Sequence, residues 1–243
     1  SGTAYWTRGR DMVDACNLLG VDVMTGHWEF TYREQEVLDN IAAFNGTFVA
    51  QNVRVTEDAL FEGAAAFDED SGHAFAPYTV KQLGERRVAV IGQAFPYTPI
   101  ANPARFIPNW TFGIRHQEVQ QLVEKIRDEE KPDAVVLLSH NGMDVDLKLA
   151  SVVTGLDVIF GGHTHDGVPK PSIVSNPGGK TLVTNAGSNG KFLAVMDLDL
   201  APGKMRGYRY RLLPVFANLL PPDPKMQALI EKIRAPYSDR LNE

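Results

Sequence analysis

The sequence holds a single cysteine, Cys16, among its 243 residues. One thiol excludes an internal disulfide framework and a thiolate metal cage. No apolar run approaches the roughly 18 residues of a membrane-spanning helix. Cations are in the minority. Lys and Arg number 24 against 30 Asp and Glu, a formal charge of −6, so there is no electrostatic footprint for nucleic acid or another polyanion. Internal repeats and low-complexity tracts are missing. The opening "SGTAYW" lacks an initiator Met, a basic stretch and an apolar leader, and is expected to be the start of a processed or trimmed piece of something longer. What remains is an ordinary globular composition, 44% hydrophobic and 22% charged, of a length that suits one large domain.

Periodicity supplies the elements. Met12, Ala15, Cys16 and Leu19 repeat at helical spacing before Gly20 and predict an amphipathic helix that places Cys16 in the core. "VDVMT" at 21–25 and "TFVAQNVRV" at 47–55 read as strands, and "YTVKQLGERRVAVIGQ" at 78–93 as a hairpin about Gly84-Glu85. The acidic stretch 56–77 between them is irregular. Val119, Leu122, Val123 and Ile126 predict a helix over 115–130, followed by the buried strand "AVVLLSH". A short helix near 144–154 leads to a second such strand, "DVIFGGHTHD". "TLVTNAG", "FLAVMDLDL" and "MRGYRYRLLPV" are three further strands, and a last helix falls near 223–233. Strands and helices alternate in one half while strands accumulate in the other, which gives an α/β class with mixed sheets. The 93–113 stretch, rich in proline and aromatics, has neither period and reads as a functional loop.

Four of the six histidines stand just beyond apolar strands: His27, His140, His163 and His165. Loops at the carboxyl ends of strands are where ligands gather in α/β sheets, and imidazole is a good donor for divalent transition metals. A lone histidine in a loop is more often merely hydrogen-bonded; four in equivalent places, two of them in "GGHTHD", point to metal. His73 and His116 read as surface residues. Asn52 and Asn185 follow strands and lie within reach of the same loops. Trp28 reads equally as core filler or as the wall of a pocket.

"SHNG" at 139–142 and "GGHTHD" at 161–166 resemble motifs of the calcineurin-like metallophosphoesterases, in particular their 5'-nucleotidase branch. Within it, "GHWEFTY" at 26–32, "FGIR" at 112–115 and "NAGSNGKF" at 185–192 resemble the SoxB family, the thiosulfohydrolases of bacterial sulfur oxidation. The resemblance covers the whole chain. It implies a sandwich of two mixed β-sheets flanked by helices and two divalent metal ions, Mn first and Zn second. His27, His140 and His163 would hold one ion, and His165 would help hold the other. The family's "D-x-H" and "GD" ligand motifs lie upstream of Ser1 in this alignment. Residues 1–243 are therefore expected to be a catalytic domain truncated at its N-terminus, deficient alone, and without the family's C-terminal domain.

The resemblance also implies chemistry. Metal-activated hydroxide would attack a cysteine S-thiosulfonate on a sulfur-carrier protein in the periplasm, releasing sulfate, and no side chain of the chain is itself assigned as the nucleophile. In "GNHEFDY" of the nucleotidases the histidine and aspartate assist a poor alkoxide leaving group. Trp28 and Thr31 replace them here, and a persulfide leaving group needs less help. Arg115 is either a clamp on sulfonate oxygens or a solvated residue at a helix start. The aromatics and prolines of the 93–113 loop, Tyr97 and Trp110 among them, read equally as a semi-rigid wall for the carrier peptide or as a structural cover over the core. A divergent phosphoesterase and a non-catalytic binding module are the competing readings.

Overall fold

The computed structural model describes residues 2–241. Helices α1 (Gly2–Trp6) and α2 (Arg10–Leu19) lead to strand β1 (Val23–Met24) and a 3-10 turn over Trp28–Thr31. Helix α3 (Glu34–Ala43), strands β2 (Thr47–Phe48) and β3 (Arg54–Val55) and helix α4 (Glu57–Phe61) follow. The hairpin of β4 (Tyr78–Leu83) and β5 (Arg86–Gln93) precedes α5 (Thr98–Ala101) and β6 (Trp110–Thr111). Then come α6 (His116–Glu129), β7 (Ala134–Ser139), α7 (Met143–Val152), β8 (Val158–Gly161), β9 (Ser172–Asn176) and β10 (Gly179–Asn185). A second hairpin, β11 (Phe192–Ala201) and β12 (Lys204–Pro214), and helices α8 (Pro224–Arg234) and α9 (Ser238–Leu241) complete the chain. Among the described residues no helix is long and apolar enough to cross a membrane.

The main sheet runs β4-β5-β7-β8-β10-β9. Its four inner strands are mutually parallel and its two edges antiparallel, so the mixed α/β class expected from the alternating pattern is what forms. The inner strands are apolar on both faces, as a sheet covered on both sides requires. Ala89, Ile91, Val135, Leu137, Ile159 and Val183 point to one face, where Val119, Val123 and Ile126 of α6 and Leu149 and Ala150 of α7 meet them. Their neighbours Val88, Ala134, Val136, Val158 and Leu182 point to the other, against Met196, Leu198, Leu200 and Met205 of the β11–β12 hairpin. Period two along each strand thus builds two cores from one sheet.

A third core lies beside the strand ends and is centred on aromatic rings. Phe30, Phe75 and Trp110 contact one another edge to face or tilted, at centroid distances from 5.0 to 6.2 Å. Val37, Phe48, Val53 and Ile107 surround them. This core is joined to the sheet at Gly92. A Cβ there would sit 2.0 Å from the Val49 carbonyl oxygen, and this close approach lets the Gln51 N–H donate to the Gly92 carbonyl at 2.9 Å.

Several expectations change. The strand over 47–55 is broken into β2 and β3, because the chain turns at Gln51 and Asn52. There the Asn52 amide grips Ala94 through both its N–H and its carbonyl. Cys16 is half-buried, and with Met12 and Val13 it lines an apolar cavity of 810 Å³ instead of a packed core. His73 is not a surface residue: it is half-buried beside Arg54, whose guanidinium reaches His73 Nδ1 at 3.0 Å. Trp110 is 8% exposed and belongs to the aromatic core, whereas Tyr97, at 45%, is open to solvent. Only Tyr97 of that pair can face a peptide.

Trp110→Ala is expected to lower the unfolding free energy by about 3–5 kcal/mol, and Tyr97→Ala to change it by less than about 0.5 kcal/mol. Urea denaturation followed by circular dichroism measures both. Equal effects would place the two rings in equivalent surroundings.

Candidate metal centre

Three strand ends deliver three imidazoles to one point. His27 follows β1 after Thr25 and Gly26, and its backbone N–H donates to Glu29 Oε2 at 2.6 Å. His140 is the first residue past β7, and its N–H donates to the Gln93 carbonyl at the end of β5. His163 follows β8 after Gly161 and Gly162 and has φ of 76°, the left-handed region that costs a residue with a Cβ. His165 repeats that conformation at 62°. Two such residues within three positions are held by Thr164, whose hydroxyl accepts from the Met143 N–H at the start of α7 and donates to Asp166.

One ring nitrogen from each of His27, His140 and His163 lies within 4.8 Å of the others. Ring centroids are 4.6 Å apart for His27 and His140, 5.0 Å for His27 and His163, and 5.5 Å for His140 and His163. Burial, and then the neighbouring His163 and His165, lower the His27 pKa to about 4. Burial and the other three imidazoles take His140 to about 3. His163 is lowered by burial and His165, against a raising influence from Asp144. The rings therefore remain neutral at pH 7, each with a free lone pair. That donor set fits a divalent transition metal, whose charge would offset the mutual crowding of three bases. Among the described residues this group includes no carboxylate.

Beneath His140 lies a polar network that periodicity alone passes over. Asp146 is 0% exposed. Its Oδ1 accepts from Ser139 Oγ at 2.6 Å and from Asn141 Nδ2 at 3.2 Å, and its Oδ2 has no partner. Burial raises its pKa to about 6, against the opposing pull of those two hydrogen bonds. Asn141 also donates to Gln93, whose amide in turn holds the Ile114 carbonyl at 2.6 Å. Asp146 shares the buried face of α7 with Leu149 and Ala150; a carboxylate at that helical spacing among apolar residues was the available signal.

The remaining expected residues divide. His165 is exposed and outside the three-ring group, although it is among the neighbours that lower the pKa of all three. Trp28 is 67% exposed with its ring 4.8 Å from that of His27, so it is not core filler. Asn52 and Asn185 are buried, and their amides serve backbone groups of Ala94 and Gly113, and of Gly162 and Gly187. Arg115 stands at the start of α6. Its guanidinium is engaged by Glu118 at 3.1 Å and Thr111 at 3.0 Å, in a network that Arg54 and His73 share.

No protein-family model matches the chain. Among solved structures, the sulfate thiohydrolase SoxB of Thermus thermophilus superposes with a TM-score of 0.86 at 36% identity, over 98% of this chain and 41% of that one. A 5'-nucleotidase precursor from the same organism superposes at 0.80 with 25% identity, over 97% of this chain and 47% of that one. Among curated proteins, the trifunctional nucleotide phosphoesterase YfkN of Bacillus subtilis is 28% identical over 82% of this chain and 15% of its own length. The chain spans less than half the length of each.

The lowered pKa values set an expected pH profile for metal binding. Rings with values near 4 and 3 do not compete for protons until well below the ordinary histidine range. Affinity for Zn, followed by calorimetry, should hold from pH 7 to ~5 and fall below that. A decline that begins at ~6.5, the value of an unperturbed imidazole, would contradict the burial argument.

Proposed function

The chain belongs to the 5'-nucleotidase branch of the calcineurin-like metallophosphoesterases, and on that basis we propose that it is the metal-binding part of a thiosulfohydrolase. Its substrate would be a cysteine S-thiosulfonate on a sulfur-carrier protein, met in the periplasm. Water adds to the sulfonate sulfur and the bond from that sulfur to the sulfane sulfur breaks. Sulfate leaves, and the carrier keeps a persulfide that takes up the remaining proton.

The observation that carries this reading is "GHWEFTY" in its folded place. His27 is one of the three converging imidazoles, so the motif supplies a ligand where the nucleotidase pattern has asparagine. The next position, histidine in that pattern, is a solvent-facing indole. Thr31 turns its hydroxyl back onto the Trp28 carbonyl at 2.7 Å. Neither residue can carry a proton to an alkoxide. A persulfide, being less basic, leaves without one. The 36% identity to a sulfate thiohydrolase over 98% of the chain supports the same choice.

His27, His140 and His163 would hold one ion and His165 would contribute to a second, Mn being favoured for both. Bound ions would activate water near neutral pH and offset charge on the sulfonate oxygens. Among the described residues no carboxylate joins the three-ring group. Trp28 and Tyr97 are exposed on either side of the paired rings of His27 and Phe95. They would flank an extended carrier peptide bearing the thiosulfonate.

The test uses the parent protein loaded with Mn, a thiosulfonate-charged carrier and a nucleoside monophosphate. Sulfate release is expected, with phosphate release slower by ~10²-fold or more, the scale of a missing general acid. Exchanging His27→Asn, Trp28→His and Thr31→Asp together should abolish the first activity and raise the second. Phosphate release without sulfate from the unaltered parent would make it a nucleotidase, and release of neither would make it a binding module.

A further inference from the structure

Metal-binding histidines are ordinarily oriented from behind, by a carboxylate or carbonyl that takes the N–H of the nitrogen not facing the ion. Without such a partner an imidazole can turn about its terminal torsion, whose energy profile is broad and roughly two-fold, and exchange the nitrogen it presents. Among the described residues, hydrogen bonds to histidine ring nitrogens are made only at His73. The rings of His27, His140 and His163 have none.

Their neighbours are aromatic instead, and one ring touches all three. Phe95, 7% exposed, stacks on His163 with centroids 4.1 Å apart and planes 28° from parallel. It meets His27 at 4.4 Å and 52°, and presents its edge to His140 at 6.5 Å. The backbone beneath it is fixed in succession. Asn52 grips Ala94 from both sides, the Phe95 N–H donates to the Gly26 carbonyl at 3.1 Å, and the Thr98 hydroxyl donates to the Phe95 carbonyl at 2.7 Å. Gly26 is the residue before His27, so this last set of contacts ties Phe95 directly to one of the rings it orients. Asn52, which touches no imidazole, acquires a purpose at the far end of the same chain of contacts.

We propose that Phe95 is a positioning residue of the metal centre: its ring, packed against both His27 and His163, holds those two imidazoles in ligand orientation in place of the usual hydrogen-bonded partner. This rests on the reading of the three histidines as metal ligands. A flat face is required, because stacking fixes the plane of a neighbouring ring whereas an aliphatic side chain only fills the space.

Phe95→Ala, Phe95→Leu and Phe95→Tyr in the intact parent, with His140→Ala as reference, test the proposal through two readouts that need no turnover. One is Zn affinity by calorimetry. The other is the mobility of the His27 and His163 rings in the metal-free protein, from side-chain relaxation of their ring carbons. Unaltered protein should show rigid rings. Ala and Leu variants should weaken Zn binding by ~10-fold or more and show mobile rings, while Tyr restores both. Should the Ala variant fail to fold, the Leu variant decides, since it keeps most of the buried volume. Unaltered affinity and rigid rings in the Leu variant overturn the proposal. Failure of the metal reading looks different: His140→Ala would bind Zn as tightly as the parent.

Discussion

Three imidazoles share a space in which their ring nitrogens lie within 4.8 Å of one another, and the local structure is organised around that constraint. Protonating two of them would place like charges together in a partly desolvated site, which is why burial and mutual repulsion push His27 to about 4 and His140 to about 3. Neutral bases gathered without an acid among them are stable at pH 7 but leave several lone pairs converging on one point. A divalent cation is the group that answers such an arrangement with a gain in free energy.

The arrangement comes from three strand ends, each of which supplies one ring. β7 and β8 are adjacent in the main sheet and end together, so His140 and His163 start from neighbouring backbone positions. His27 comes from a different pair, β1 with β2, and is brought over by the close approach of Val49 to Gly92. Left-handed backbone at His163 and His165 is strain that the Thr164 contacts to Met143 and Asp166 hold in place. Buried Asp146, with Ser139 and Asn141, fixes the loop that carries His140.

Much of this was legible in the sequence, for definable reasons. The helices over 10–19, 116–129 and 143–152 and the long strands of both hairpins announce themselves by period, and His27, His140 and His163 each stand one to three residues past a strand. Broken or very short elements were not legible. β2 and β3 read as one strand because nothing local to 47–55 reveals that Asn52 will bond to Ala94, 42 residues away. The partners of Asn52 and Asn185 were not legible either, because a polar residue at a strand end looks the same in sequence whether it serves a ligand or the backbone. Trp110 and Tyr97 share one loop, and only tertiary packing separates the buried ring from the exposed one. Phe95 carried no signal at all, since its importance lies in which rings it touches.

The motif at 26–32 joins the two halves of the account. Its histidine enters the three-ring group, its glutamate fixes that histidine's backbone, its phenylalanine anchors the aromatic core, and its tryptophan is left facing solvent. The central claim, that His27, His140 and His163 bind one ion together, is tested most directly by X-ray absorption spectroscopy of the Zn-loaded parent. The account predicts nitrogen scatterers at ~2.0–2.1 Å with the outer-shell signature of three imidazoles, reduced by one ring on His27→Ala. A spectrum with fewer than three imidazoles, or one that His27→Ala leaves unchanged, would contradict it.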